Sequence, residues 1–341
     1  MTNDSAARSS GFLTYSHTIG IANMVGRGFY FPADTAVGTN GRLYTVNRGL
    51  DADTRGVRVT AYNLASDFFE TFGSFGRGDG QFISPTSIAV DGIGQVYVSD
   101  ENTHRITIFD GEGTFLAVWG VHGDRLGELD GPSGIAFDSD DNLYVADHRN
   151  HRIQRFTSDG RFQFGFGSAG SEEGQLSLPW GVTVGANGDV YVADWGNDLI
   201  KRFSPDGEFV GQYGSLGRAD GQLKRPSSVA ADAEGYIYVA DWGNERVQVF
   251  DPEGDFVMKL RGSATVSKWA GEFLSTNVEE AEARAAADME PDVAQFGGDP
   301  HEESSHIERY FWAPVSVKLD DEGRVYVTES NRHRVQIFER G

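Results

Sequence analysis

The chain has 341 residues, no cysteine and a formal charge of −22. The missing cysteine excludes disulfides, thiolate catalysis and Cys-ligated zinc or iron–sulfur centres. The acidity disfavours nucleic acid, whose binding relies on Lys and Arg releasing phosphate counterions, and leaves room for a neutral ligand or a basic protein partner. With 44 glycines and 12% aromatic residues, the composition fits many short strands joined by tight turns.

The start of the chain, MTNDSAARSSGFLTY, lacks a basic region followed by an apolar run, and no later stretch approaches 18 apolar residues. The expectation is a soluble, cytoplasmic protein with no membrane partner. Farther on, a unit recurs. Pro85, Pro132, Pro179 and Pro226 lie 47 residues apart, and Asp100, Asp147, Asp194 and Asp241 keep the same spacing. Within the best-formed unit, four β-like runs (Trp180–Val184, Val190–Ala193, Leu199–Phe203 and Glu208–Tyr213) are separated by Gly, Asn, Asp and Pro. A period of 40–50 residues built from strands indicates a propeller.

The repeat also serves as a ruler. Gly73, Gly120, Gly167 and Gly214 each precede their proline by 12 residues, as Gly20 precedes Pro32. Residues 12–19 are therefore phased like a last strand, and Pro314–Arg340 supplies only three runs. The expected fold is all-β, a single six-bladed propeller of four-stranded antiparallel blades spanning 12–341. Its blades start near 32, 85, 132, 179, 226 and 314, with residues 12–19 completing the last one and removing its open edge. A Phe or Leu three residues before each proline is expected to plug the space between blades.

One connection departs from the period. Pro226 and Pro314 are 88 residues apart, so 41 extra residues fall in the fifth inter-blade loop. Val266, Ala270, Phe273, Leu274, Val278, Ala281 and Ala285 share one side of a helical wheel, which predicts a helix near 266–288 followed by an irregular return. By strand direction the 262–311 insertion leaves from the top face, where it is expected to form a lid over the central funnel.

The strings YVADHRNHRIQRF (144–156), YVADWGNDLIKRF (191–203) and YVADWGNERVQVF (238–250), with weaker copies at 97–109, 326–338 and 44–62, resemble the NHL repeat, which is carried by six-bladed propellers. That resemblance implies the fold over roughly 12–338 but several functions. NHL domains of tripartite-motif proteins bind RNA on a basic top face, whereas this chain is strongly acidic. The amidating lyase of similar fold holds zinc through histidines near the starts of inner strands. The matching positions here are Asp34, Ser87, Gly134, Gly181, Ser228 and Ser316, without a histidine. Six-bladed lactonases hold a central calcium through carboxylates and amides, and of these six positions Asp34 alone suits that role.

The second strands end in a ring formed by Asn47, Asp100, Asp147, Asp194, Asp241 and Glu329. Each aspartate is expected to accept hydrogen bonds from its own turn. Asn47 and Glu329 depart from the repeat on neighbouring blades. With Asp34 they are the candidate ligands of a divalent cation such as calcium. His104, His151 and His333 recur at one repeat position, as residues hydrogen bonding between blades would. His148 beside Arg149 is a candidate pair for an anionic ligand, and Trp180, Trp195 and Trp242 are a candidate ligand wall. His301 and His306 read as a solvated segment. The chain contains no GxSxG, HExxH or P-loop. The leading expectation is a propeller binding a small molecule or peptide in the top-face funnel under the 262–311 lid. The alternatives are a metal-assisted hydrolase or lyase, and an acidic platform for a basic protein.

Overall fold

The structure, a computed structural model, describes residues 11–39, 41–50 and 53–341. It contains six four-stranded antiparallel sheets. Their first strands contact one another in a closed cycle, each inner strand between two others. The blade at 179–214 consists of Val182–Val184, Val190–Asp194, Leu199–Phe203 and Phe209–Tyr213. Its two middle strands alternate large apolar residues toward both neighbouring blades, as a sheet covered on both faces must.

Ring closure follows the ruler. In blade 6, Pro314–Leu319, Val325–Glu329 and Arg334–Arg340 are joined by Leu13–Ile19, which pairs antiparallel with Arg334–Arg340 from Leu13↔Arg340 to Ile19↔Val335. The plug residues Phe29, Phe82, Leu129, Leu176, Leu223 and Phe311 are all fully buried. Phe29, Phe82, Leu176 and Leu223 each pack close to a glycine 9 residues upstream, and across the insertion the Phe311 backbone lies against Gly262. A Cβ on Gly73 would lie 2.3 Å from the Phe82 ring, and one on Gly214 would lie 2.6 Å from Leu223 Cδ1. Both glycines also sit at positive φ, so no other residue suits the place.

Two hydrogen-bond devices repeat around the ring. The six residues at the ends of the second strands each accept a backbone N–H from the loop 17 residues upstream: Tyr30 to Asn47, Ile83 to Asp100, Asp130 to Asp147, Ser177 to Asp194, Lys224 to Asp241 and Trp312 to Glu329. The expected donors were N–H groups of the same turn, yet among the described residues Asp100 alone takes those, from Asn102 and Thr103. The other acidic members instead take side chains three, five or seven residues on. Asp241 binds Asn244, Arg246 Nε at 2.7 Å and Gln248.

The second device links blades. At five seams a left-handed residue offers an acceptor to the N–H just before the next blade's proline. His104, His151 and His333 use Nδ1 toward Gly131, Leu178 and Phe31. Asp198 and Glu245 use a carboxylate toward Arg225 and Ala313. The recurring histidines thus bond between blades.

The insertion forms three helices, α1 (Lys268–Thr276), α2 (Val278–Ala286) and α3 (Pro300–His306). The single helix expected near 266–288 is interrupted at Asn277 (φ −124, ψ 79). There the side chain donates to Phe273 O at 2.7 Å, a local bond that favours helix ends over interiors. The expected irregular return contains α3, capped by the Asp299 carboxylate with Pro300 at its first position. His301 is not simply solvated, since its Nδ1 lies 2.7 Å from Glu245 Oε1.

α1 anchors the insertion to the seam of blades 6 and 1. Trp269 is fully buried, with its ring 5.5 Å from Phe29 and 5.7 Å from Tyr62, and its Nε1 donates to Ser66 O at 2.6 Å. The Ser267 hydroxyl caps α1 by accepting Ala270 N–H and donates to Gly20 O.

Candidate functional site

The inner strands converge on an axial cavity of about 20 Å3, room for a single water. All six positions singled out by the ruler line it: Asp34, Ser87, Gly134, Gly181, Ser228 and Ser316. The strands are so close that a Cβ on Gly134 would lie 2.6 Å from Trp180 O. Asp34 is buried at the centre. Its Oδ1 accepts from Thr35 N at 2.8 Å and from the Ser316 hydroxyl. Its Oδ2 accepts from the Ser87 hydroxyl at 2.6 Å and Ile88 N at 3.1 Å, and Lys318 Nζ lies 3.3 Å away.

Asn47 and Glu329 have separate partners. The Asn47 amide donates to Thr45 O, Arg58 O and the Thr60 hydroxyl. Glu329 is held by Arg334 Nε at 2.7 Å and Gln336 Nε2 at 2.7 Å. Asp34, Asn47 and Glu329 share no hydrogen-bond partner among the described residues, and the positive charge beside Asp34 is Lys318. Among the described residues, the His and carboxylate cluster tight enough to share a cation is elsewhere, at His104, His122 and Asp130. There Asp130 Oδ1 also meets Arg149 at 3.4 Å, and His104 Nδ1 is engaged by Gly131 N–H.

Above the axial cavity, sharing Trp180, Ser227 and Val315 with it, is a larger one of about 270 Å3. Its wall is Trp180, Trp195, Ser227, Trp242 and Val315. The structure brings together the three tryptophans named from sequence. Trp195 and Trp242 open the short turns Trp195–Asn197 and Trp242–Asn244 that follow the second strands of blades 4 and 5. These turns are pinned to the inter-blade loops by Gly196 N to Ser177 O and Gly243 N to Lys224 O. Arg225 stacks over the Trp195 ring at 4.8 Å, fixing its orientation.

His148 stands behind the wall, edge-on to Trp180 at 4.9 Å. Its Nδ1 donates to Pro179 O at 3.2 Å, which leaves Nε2 as the acceptor, and burial lowers its pKa. Arg149 is exposed and turned toward Asp130 and Glu101 O. It is not part of the tryptophan wall.

Sequence reasoning missed Ser227 and Val315, although the ruler marks them. The residue after each blade proline is Ala33, Thr86, Ser133, Trp180, Ser227 or Val315, so Trp180 is the one large ring at a position otherwise small. The wall contains no residue of the 262–311 insertion. The insertion reaches the rim at Glu245, beside the Trp242 turn, and otherwise covers blade 6 and its seam with blade 1. It runs there because its apolar anchor, Trp269, fits the slot beside Phe29.

The NHL repeat family model matches residues 82–109, 129–156, 176–203, 223–250 and 311–338, which are blades 2 to 6 from plug residue to third strand. No curated protein matches the sequence. Among solved structures, a streptogramin B lyase is similar with a TM-score of 0.58 at 11% identity, over 96% of this chain and 98% of that one. A catalytically inactive virginiamycin B lyase from Staphylococcus aureus with quinupristin gives 0.55 at 11%, over 96% and 99%. A protein of unknown function from Bacteroides thetaiotaomicron gives 0.60 at 16%, over 96% and 75%. At these identities the likeness concerns the fold alone. Among the described residues no helix is long and apolar enough to cross a membrane. With five matched repeats and six closed blades, the chain belongs to the NHL-repeat six-bladed β-propellers.

Proposed function

We propose that this propeller binds a small molecule or peptide through an apolar, preferably aromatic, group seated among Trp180, Trp195 and Trp242. The observation that carries this reading is the cavity itself: three indoles from two blades line about 270 Å3, with Ser227 as the polar residue of the wall. Ligand sites combine apolar walls with few polar groups in this way, and tryptophans dominate binding energies where they occur. Titration with Phe-Phe and other aromatic dipeptides, followed by tryptophan fluorescence, tests it. Saturable quenching is expected, weakened about tenfold or more in Trp242→Ala. Saturation unchanged in both Trp242→Ala and Trp180→Ala would refute it.

A second reading, a hydrolase or lyase, is favoured by His148. Its neutral imidazole keeps Nε2 free beside the wall, as a general base requires. Two structural neighbours are lyases. The wall itself holds no titratable group, so binding is the better supported reading. Turnover of a bound ligand, lost in His148→Gln with binding retained, would reverse that order.

A further inference from the structure

A separate cavity of about 510 Å3 lies between the insertion and blade 6, within the size range of small-ligand pockets, about 300–1,000 Å3. Phe273 and Leu274 of α1 and Met289 form an apolar side. Phe273 is 44% exposed, so its ring still has surface to cover. The lining also holds three guanidinium groups, Arg284 of α2 with Arg332 and Arg334 of blade 6, together with His306 and Glu308.

Two of these cations are matched. Arg334 Nε lies 2.7 Å from Glu329 Oε1, and Arg284 Nη2 lies 2.7 Å from Glu308 Oε2. Arg332 makes no ion pair among the described residues. Its Nη2 donates to Ser304 O (2.8 Å), Ser305 O (3.2 Å) and Ile307 O (3.4 Å), and its Nε has no partner. Its guanidinium lies 5.2 Å over the Trp312 ring, and burial, with the neighbouring Arg334, lowers its pKa against the opposing pull of Glu329 and Glu308.

The repeat shows that this charge is surplus to the fold. Arg332 occupies the place of Asn150, Asn197 and Asn244, each of which donates to a loop carbonyl 27 residues upstream, at Gly123, Gly170 and Gly217. Arg332 keeps that bond, since Ser305 is also 27 residues upstream. A neutral amide suffices in blades 3 to 5. Here, in a chain of charge −22, a guanidinium stands in its place on the wall of a half-apolar cavity.

We propose that this cavity is a second ligand site, for a small molecule that joins one carboxylate-like anionic head to an apolar body. Arg332 takes the head, and the side formed by Phe273, Leu274 and Met289 takes the body.

The probe is free decanoate below its micellar concentration, titrated calorimetrically into the full chain, with decyltrimethylammonium as the control of opposite charge. One decanoate is expected per chain, with no comparable binding of the cation. Arg332→Asn, which restores the residue used by other blades, is expected to weaken decanoate about tenfold or more. Ala270→Phe is expected to abolish binding by filling the cavity. Trp242→Ala should leave it unchanged, so this site and the tryptophan cavity stand or fall separately. Absence of decanoate binding, equal binding of the cation, or affinity unchanged in both cavity variants would overturn the proposal. The two variants act by different routes, so if one fails to fold the other still decides.

Discussion

Asp34 sits where six strands meet, with two hydroxyls, two backbone N–H groups and Lys318 around its carboxyl group. Removing one partner of such a pair costs more than the pair contributes, since the remaining charge stays buried. Lys318→Met is expected to destabilise the ring by about 1–3 kcal/mol in denaturant unfolding, with part recovered in Asp34→Asn/Lys318→Met. A single variant as stable as the parent would show that the hydroxyls suffice. His333 gives a pH-dependent counterpart. Its Nδ1 must be unprotonated to accept Phe31 N–H, and burial pushes its pKa down to about 4 from 6.5. The unfolded chain therefore takes up a proton first as pH falls. The contribution is intact above 6.5 and is lost progressively between 6.5 and 4, by about 3 kcal/mol in all. Unfolding measured from pH 7 to 4 should show this loss in the parent and a smaller one in His333→Asn; equal slopes would exclude His333 as the cause. Sequence comparison identified the histidines as a repeated feature because they share a register. It did not find Lys318, because the pair joins neighbouring blades 6 and 1 at different repeat positions.

Among the elements, the insertion was the least legible. Its apolar periodicity was visible, and Val266, Ala270, Phe273 and Leu274 do share one cavity wall. The break at Asn277 and the seven-residue α3 were not, because one turn or two of helix gives too short a pattern to read by period. The signal for α3 was the Asp299-Pro300 start. Its destination was hidden for a different reason: a helix wheel says which side is apolar and nothing about which slot will receive it. Trp269 supplies that slot, and truncating a buried tryptophan typically costs about 3–5 kcal/mol. Because α1 is held to the ring mainly by this anchor and the Ser267 cap, Trp269→Ala is expected to release the insertion first. Limited proteolysis should then cut within 262–311 while the blades survive. Simultaneous digestion of blades and insertion would show that the anchor supports the whole ring.

At the scale of the molecule, the ring was readable because one supersecondary unit recurs and each copy carries its own plug, glycine and strand-end side-chain acceptor. The tryptophan cavity was half readable. Its large rings break the repeat and so attract notice, while Ser227 and Val315 are ordinary residues that matter through position alone. Closure makes a further prediction. Removing residues 1–19 leaves Arg334–Arg340 as an uncovered edge, and exposed edges recruit other chains. The truncated protein is expected to melt well below the parent and to associate at micromolar concentration. A monomer with unchanged melting temperature would mean that the first strand is dispensable.

The pairing of Leu13–Ile19 with Arg334–Arg340 also sets an order of events in time. Synthesis proceeds at about 5–20 residues per second, so the first strand waits tens of seconds before its partner exists. Blades 1 to 5 can form during that interval from contiguous segments, whereas blade 6 cannot. The nascent protein is therefore an open arc with two unpaired ends until Arg334–Arg340 emerges and pairs with Leu13–Ile19, the step that turns the arc into a ring.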